Sequence, residues 1–167
     1  MKIRAFTLVE VIIVVTILGI LAAVVIPTFQ GQSTSARESA AKDSLKTMRV
    51  QIELYKLQHD GVPPGYANGF PVSTATLRLQ FVGTTKVTGA ASSSKVPSTT
   101  YPYGPYVREL PENPFNNLTN IAYVAEATDF SAAVDGTSSG WLYKKETGDI
   151  RINWMGTDQK DDNFYDY

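Results

Sequence analysis

Residues 6–61 read FTLVEVIIVVTILGILAAVVIPTFQGQSTSARESAAKDSLKTMRVQIELYKLQHDG, and this stretch decides the fold. Within it the run from Leu8 to Ile26 is 19 residues long and carries one charge, Glu10. As a helix rising about 1.5 Å per residue it would span roughly 28 Å, close to the hydrocarbon core of a bilayer. A lone carboxylate in such a run costs about 2.5–3.5 kcal/mol at a span's centre and less near its end. Glu10 therefore calls for a partner.

Upstream, Lys2 and Arg4 are the only charges before Glu10, and the next basic residue is Arg37. That asymmetry places the N-terminus on the cytoplasmic side. A secretory signal would have an apolar region of about 7–15 residues without a carboxylate, which this run does not match. A plain membrane anchor explains the length and the basic flank but leaves Glu10 without a role.

Downstream, Ala41, Leu45, Met48, Ile52 and Tyr55 recur at spacings of four and three, which predicts one apolar helix face. Val50, Leu54 and Leu57 form a second stripe on the opposite side. Two opposed stripes suit a helix that packs one face on its own sheet and lends the other to a helical core shared between subunits. Wrapping by the chain's own loops is the alternative. The helix should bend at Pro27, where the hydrogen-bond ladder is interrupted, and stop at Gly61 before Pro63-Pro64. His59 follows the Leu45 stripe and reads as a packed or capping histidine.

Composition narrows the function. The 167 residues suit one small globular unit plus a membrane segment. A net charge of −1 offers no field for nucleic acid, so no nucleic-acid partner is expected. With no cysteine and one histidine, thiolate sites and multi-histidine metal sites are excluded. No nucleophile and base pair or phosphate loop is recognisable, so the chain does not read as an enzyme.

In the globular part, a short helix is predicted around Ser73 to Val82, presenting Leu77 and Phe81. Gly61 to Pro105 otherwise reads as loop, and Gly83 to Thr100 as a polar surface excursion. Strands are predicted at Ile121 to Ala127, Gly140 to Lys145 and Ile150 to Trp154, joined as a three-stranded antiparallel meander over the Leu45 stripe. Ile150, Ile152 and Trp154 alternate with Arg151 and Asn153, giving one buried face and one solvated face. The tail gathers four aspartates in its last ten residues. It reads as a solvated acidic terminus, since its spacing fits no defined calcium loop.

The string Phe6-Thr7-Leu8-Val9-Glu10-Val11 followed by the apolar run resembles the prepilin signal of type IV pilins and type II secretion pseudopilins. The Leu110-Pro111 and Asn113-Pro114 turn, followed by a hairpin bearing Trp141 and Tyr143, is similar to the major pseudopilin pattern. The absence of cysteine favours a pseudopilin over the many pilins that carry a C-terminal disulfide. The resemblance implies cleavage between Ala5 and Phe6 by a prepilin peptidase and methylation of the new amine on Phe6. The family usually has glycine before the cut; Ala5 is the smallest alternative, and processing is expected to survive. Glu10 would then be an assembly residue. Its partner is the Phe6 amine, either of the same helix or, as the resemblance implies, of a neighbouring subunit. Major pseudopilins also bind calcium through a C-terminal acidic loop, which carries over to Asp158, Asp161 and Asp162 as candidate ligands.

Together these readings predict an α+β, pilin-like fold, with a long N-terminal helix packed on a small antiparallel sheet. The expected division is a leader over 1–5, a membrane and assembly helix over 6–30, its amphipathic continuation over 31–60, a loop-rich region over 61–105, and a sheet region with acidic tail over 106–167. The resemblance implies a single-pass inner-membrane protein with its C-terminal domain extracytoplasmic, then a periplasmic or extracellular fibre. Expected partners are copies of itself, prepilin peptidase, other pseudopilins or pilins, and an inner-membrane assembly platform. Two other readings stay open: a type IV pilus subunit, and a single-span anchor displaying a binding domain on the 83–100 loop.

Overall fold

A computed structural model describes residues 7–167, with the side chains of 24–33 excepted. The chain forms two compact units, Met1–Arg37 and Glu38–Tyr167. Helix α1 runs over Leu8–Gln58, 51 residues. It is followed by β1 (Tyr66–Ala67), β2 (Phe70–Pro71), α2 (Thr74–Val82), β3 (Thr84–Thr85), β4 (Ala91–Ser92), β5 (Ile121–Tyr123), α3 (Phe130–Ala133), β6 (Trp141–Lys144), β7 (Asp149–Ile152) and a 3₁₀ turn at Phe164–Asp166. The fold is α+β, as the periodicities predict.

In the first unit, among the described residues no helix is long and apolar enough to cross a membrane. The expected span continues to Ile26, past Ala23, after which side chains are outside the described residues until 34. Ala5 and Phe6 at the expected cleavage junction also lie outside them, while at Pro27, where the bend is expected, the backbone belongs to α1 and only the side chain is outside.

In the second unit the apolar face of α1 is the floor of the core. Ala41, Leu45, Met48, Ile52 and Tyr55 are all buried, while Val50, Leu54 and Leu57 on the other face are exposed. Over the buried face lie Trp141 and Tyr143 of β6, Ile150 and Ile152 of β7, Leu77 and Phe81 of α2, and Phe164. Ser73 caps α2, its hydroxyl accepting from the Thr76 N–H.

The end of α1 differs in detail from the expectation. The reversal is made by Asp60, which adopts a left-handed φ of 54°, and the Gly61 N–H closes back on the Lys56 carbonyl at 2.9 Å. This six-to-one bond is a Schellman closure with aspartate in the place glycine usually takes. His59, just before it, is buried and stacks on Tyr55 with ring centroids 3.6 Å apart. Its Nδ1 donates to the Tyr55 carbonyl at 2.7 Å, so in the neutral ring Nε2 accepts from the Thr85 hydroxyl at 3.0 Å.

Burial holds the His59 imidazole below its ordinary value, against the opposing bond to Tyr55. The unfolded chain takes up this proton near pH 6.5 while the folded chain resists it, so stability falls as pH drops below about 6.5. Carboxylates held low by their donors, Asp135, Glu146 and Asp158, act further down. Between pH 7 and about 5 the melting temperature should therefore decline, and His59→Gln should flatten that decline. Thermal unfolding of both proteins across this range checks it, and an unchanged slope in the variant would refute it.

Three expectations need correction. The first concerns the sheet: β6 and β7 form the predicted antiparallel hairpin through Gly148, but β5 pairs with β6 in parallel, Ile121 opposite Trp141 and Tyr123 opposite Tyr143. Parallel pairing needs a crossover of a dozen or more residues, and the segment from Val124 to Gly140, with α3 inside it, supplies one. The predicted first strand ends at Tyr123 because its remainder enters that crossover.

The second concerns the 61–105 region, which is more ordered than a loop. Asn68-Gly69, with φ of 52° and 81°, turns the β1–β2 hairpin, a type I′ signal that the sequence carries openly. Residues 83–92 are not a surface excursion: β3 and β4 pair, and Thr84 and Thr85 are buried. Gly83 fits here because a Cβ would meet the Ser92 carbonyl oxygen at 2.0 Å. Only from Ser93 to Thr100 is every residue exposed.

The third concerns Asn153, predicted to face solvent but fully buried. The strand ends at Ile152, and Asn153 turns inward as a hub. Its Nδ2 donates to Asp135 Oδ1 at 2.8 Å and to the Ser139 carbonyl at 3.0 Å, while its Oδ1 accepts from the Asp135 and Gly136 N–H groups. A buried amide with both ends satisfied locks the crossover onto the hairpin.

Candidate assembly site

Helix α1 opens with a reciprocal cap. Thr7 is the N-cap; its Oγ1 accepts from the Glu10 N–H at 3.3 Å, and Glu10 Oε2 accepts from the Thr7 N–H at 2.9 Å and the Thr7 hydroxyl at 2.8 Å. This is the capping box, threonine and glutamate three apart. Glu10 also lies in the first turn, where the helix dipole favours negative charge. The charge that stands out in the sequence thus has a partner within one chain. The Thr7-x-x-Glu10 spacing is a local signal of this neutral partner, carried in the sequence itself.

Beyond the cap the helix presents apolar side chains outward: from Leu8 to Leu21 the large ones are all exposed. The one other polar group in this stretch is satisfied internally, Thr16 donating to the Ile12 carbonyl at 2.7 Å. In the second unit, Val50 and Leu54 with Leu57, itself 83% exposed, line a shallow groove of about 410 Å³ flanked by Arg49 and Glu53. Apolar area left in water on this scale marks a surface meant to be covered.

At the C-terminus the three aspartates part company. The Asp158 side chain is buried, whereas Asp161 and Asp162 are exposed. Among the described residues no three His, Asp or Glu side chains are grouped to hold a metal. Asp158 instead meets Lys42 of α1, its Oδ2 accepting from Nζ at 2.8 Å. Lys42 is a residue for which the sequence offered no signal, since its partner lies 116 positions away.

The cap, the outward apolar helix and the packed hairpin agree with what the chain is similar to. A family model described as the prokaryotic N-terminal methylation motif matches residues 1–26. The type II secretion system core protein G of Klebsiella pneumoniae is 29% identical over 90% of this chain and 94% of its own length. The protein of the same name from Escherichia coli is 26% identical over 92% of both. The prepilin peptidase-dependent protein D of Escherichia coli is 39% identical over 45% of this chain and 53% of its own length. No solved structure matches the chain. The methylation motif covers the segment on which the capped helix begins, and the similarity to the core protein G of Klebsiella pneumoniae runs over nine-tenths of the chain, so the chain is similar to that protein along nearly its whole length.

Proposed function

We propose that this chain is a structural, non-catalytic subunit of a type II secretion pseudopilus, polymerising through α1 to support protein export. The observation that carries the reading is the outward face of α1. An apolar helix whose side chains are exposed from Leu8 to Leu21, and a second exposed stripe at Val50, Leu54 and Leu57, are surfaces that copies of one helix can cover for each other. In this reading the precursor sits in the inner membrane with its C-terminal unit extracytoplasmic. Prepilin peptidase cuts between Ala5 and Phe6, Phe6 is methylated, and the subunit joins its copies and other pseudopilins or pilins on an inner-membrane platform.

The new ammonium on Phe6 would lie close to a carboxylate already held in place by Thr7. Glu10 then registers one subunit against the next, because its charge is offset inside the membrane only where an amine meets it. The test is the mass of the N-terminal peptide of mature, correctly localised protein. A methylated Phe6 terminus is expected, and a peptide beginning at Met1 would overturn the reading.

A type IV pilus subunit is the second reading, favoured by similarity to the prepilin peptidase-dependent protein D. Long surface filaments labelled with antibody to this chain would support it over a short periplasmic fibre. The reading as a display anchor loses ground because residues 84–92 of the 83–100 loop form a hairpin whose first strand, Thr84–Thr85, is buried.

A further inference from the structure

The acidic C-terminal loop raises the question of which cation neutralises it. Four contacts engage the Asp158 carboxylate. Oδ2 accepts from Lys42 Nζ at 2.8 Å and from the Tyr167 hydroxyl, and Oδ1 accepts from the Lys160 N–H at 2.7 Å and the Asp162 N–H at 3.1 Å. Four donors on two oxygens use the lone-pair sites of a carboxylate. The loop closes on itself around this group: the Asp158 N–H donates to the Asp162 carbonyl at 2.9 Å, and Thr157 bridges Asn163.

The Lys42 ammonium is equally committed. Its three donors match three oxygens, Glu38 Oε1 at 2.9 Å, Asp158 Oδ2 at 2.8 Å and the Tyr167 hydroxyl at 2.8 Å, and it sits 4.0 Å from the centre of the Tyr167 ring. An ammonium gripped by oxygens in this way stands where a metal ion bound to Asp158 would have to stand. Asp161 and Asp162 do not converge on it. Asp161 takes a left-handed φ of 64° in the turn, and both side chains are exposed. The donor set that calcium needs, six to eight oxygens, is not what this loop brings together.

We propose that Lys42 is the built-in cation of the C-terminal loop, clasping residues 157–167 to α1 so that this unit closes without calcium. The Asp158 carboxyl is held well below the usual range, first by the Lys42 ammonium and then by the Tyr167 hydroxyl, which agrees with a permanently ionised partner. Arg49 and Arg151 complete the clasp from α1 and β7, both donating to the Tyr167 carbonyl oxygen. The clasp thus joins the start of the unit's helix, its last strand and its tail through fixed charges of the chain itself.

Thermal unfolding of the full chain in detergent micelles tests this, in millimolar calcium chloride and in chelator. The wild-type melting temperature should be the same in both within about 1 °C, since a ligand stabilises only if the folded state binds it. Lys42→Met should lower it by about 5 °C. Combining Lys42→Met with Asp158→Asn should cost less than the sum of the single losses, because no buried carboxylate is then left without its counter-charge. A calcium-dependent rise of about 3 °C or more in the wild type would overturn the proposal. So would a Lys42→Met protein as stable as the wild type, or losses that simply add. The wild-type comparison decides the calcium question even if a variant fails to fold.

Discussion

Replacing Glu10 by glutamine is expected to abolish fibre assembly while leaving the helix start intact, and replacing it by alanine is expected to abolish assembly and also weaken the helix start. The two substitutions separate roles that one residue combines. Glutamine can still reach back to the Thr7 N–H as a capping-box partner, so the geometry seen between Thr7 and Glu10 survives. What it lacks is the charge that would meet the amine of Phe6. Breaking one side of a desolvated ion pair costs about 3–5 kcal/mol, which is a hundredfold or more in an association constant.

Both variants should therefore accumulate as precursor in the membrane with little fibre. Only Glu10→Ala should also lose the glutamate half of the capping box, at about 0.3–1 kcal/mol of helix stability, since the Thr7 hydroxyl still accepts from the residue-10 N–H. Sheared-fibre yield and membrane fractionation give the comparison. Wild-type assembly by Glu10→Gln would show that the cap, and not the charge, is what assembly requires.

Trp141→Ala should produce the largest loss of stability. Trp141 is fully buried at the head of β6, opposite Ile121 on one side and Ile152 on the other, and its Nε1 donates to the Pro111 carbonyl at 2.8 Å. Truncation removes the ring from the cluster that faces Ala41, Leu45 and Met48 and leaves that carbonyl unpaired. A large aromatic lost from a core costs about 3–5 kcal/mol, and the unmet acceptor adds about 1–3 kcal/mol. A fall in melting temperature of roughly 10 °C or more follows for a domain of this size. Trp141→Phe should recover most of the packing but not the hydrogen bond, and should fall between the two. Urea or thermal unfolding measures it, and a loss under about 1 kcal/mol for the alanine variant would mean that this ring is not central to the core.

Pairing partners in the sheet show where local reading stops. The β6–β7 hairpin was legible because alternation at Ile150 and Ile152 and the turn at Gly148 are local signals. Pairing of β5 was not, because strand direction depends on the path of the 124–140 crossover, and no residue of β5 carries information about it. Asn153 departs from the alternation for a related reason. Alternation assigns a face only while the strand continues, and here it stops at Ile152. Asn68-Gly69 is a different case, since the turn signal was present and local.

The candidate sites divide the same way. Glu10 stood out because a charge in an apolar run is costly wherever it lies, and the cap that holds it spans only three residues. Lys42 did not stand out: one lysine among the charges of an amphipathic helix has nothing to distinguish it until the chain brings Asp158 and Tyr167 to it.

By itself the sequence determined the elements whose causes are local: the apolar helix with one charge, the two stripes of α1, the short helix α2 and the β6–β7 hairpin. Period, capping and turn preference act within a few residues and need no partner. Tertiary structure alone decided the parallel partner of β6, the inward turn of Asn153 and the choice of Lys42 as counter-ion to the acidic loop. Each of these joins residues far apart in the chain, and the free energy that selects them comes from burying polar and charged groups only where their partners arrive.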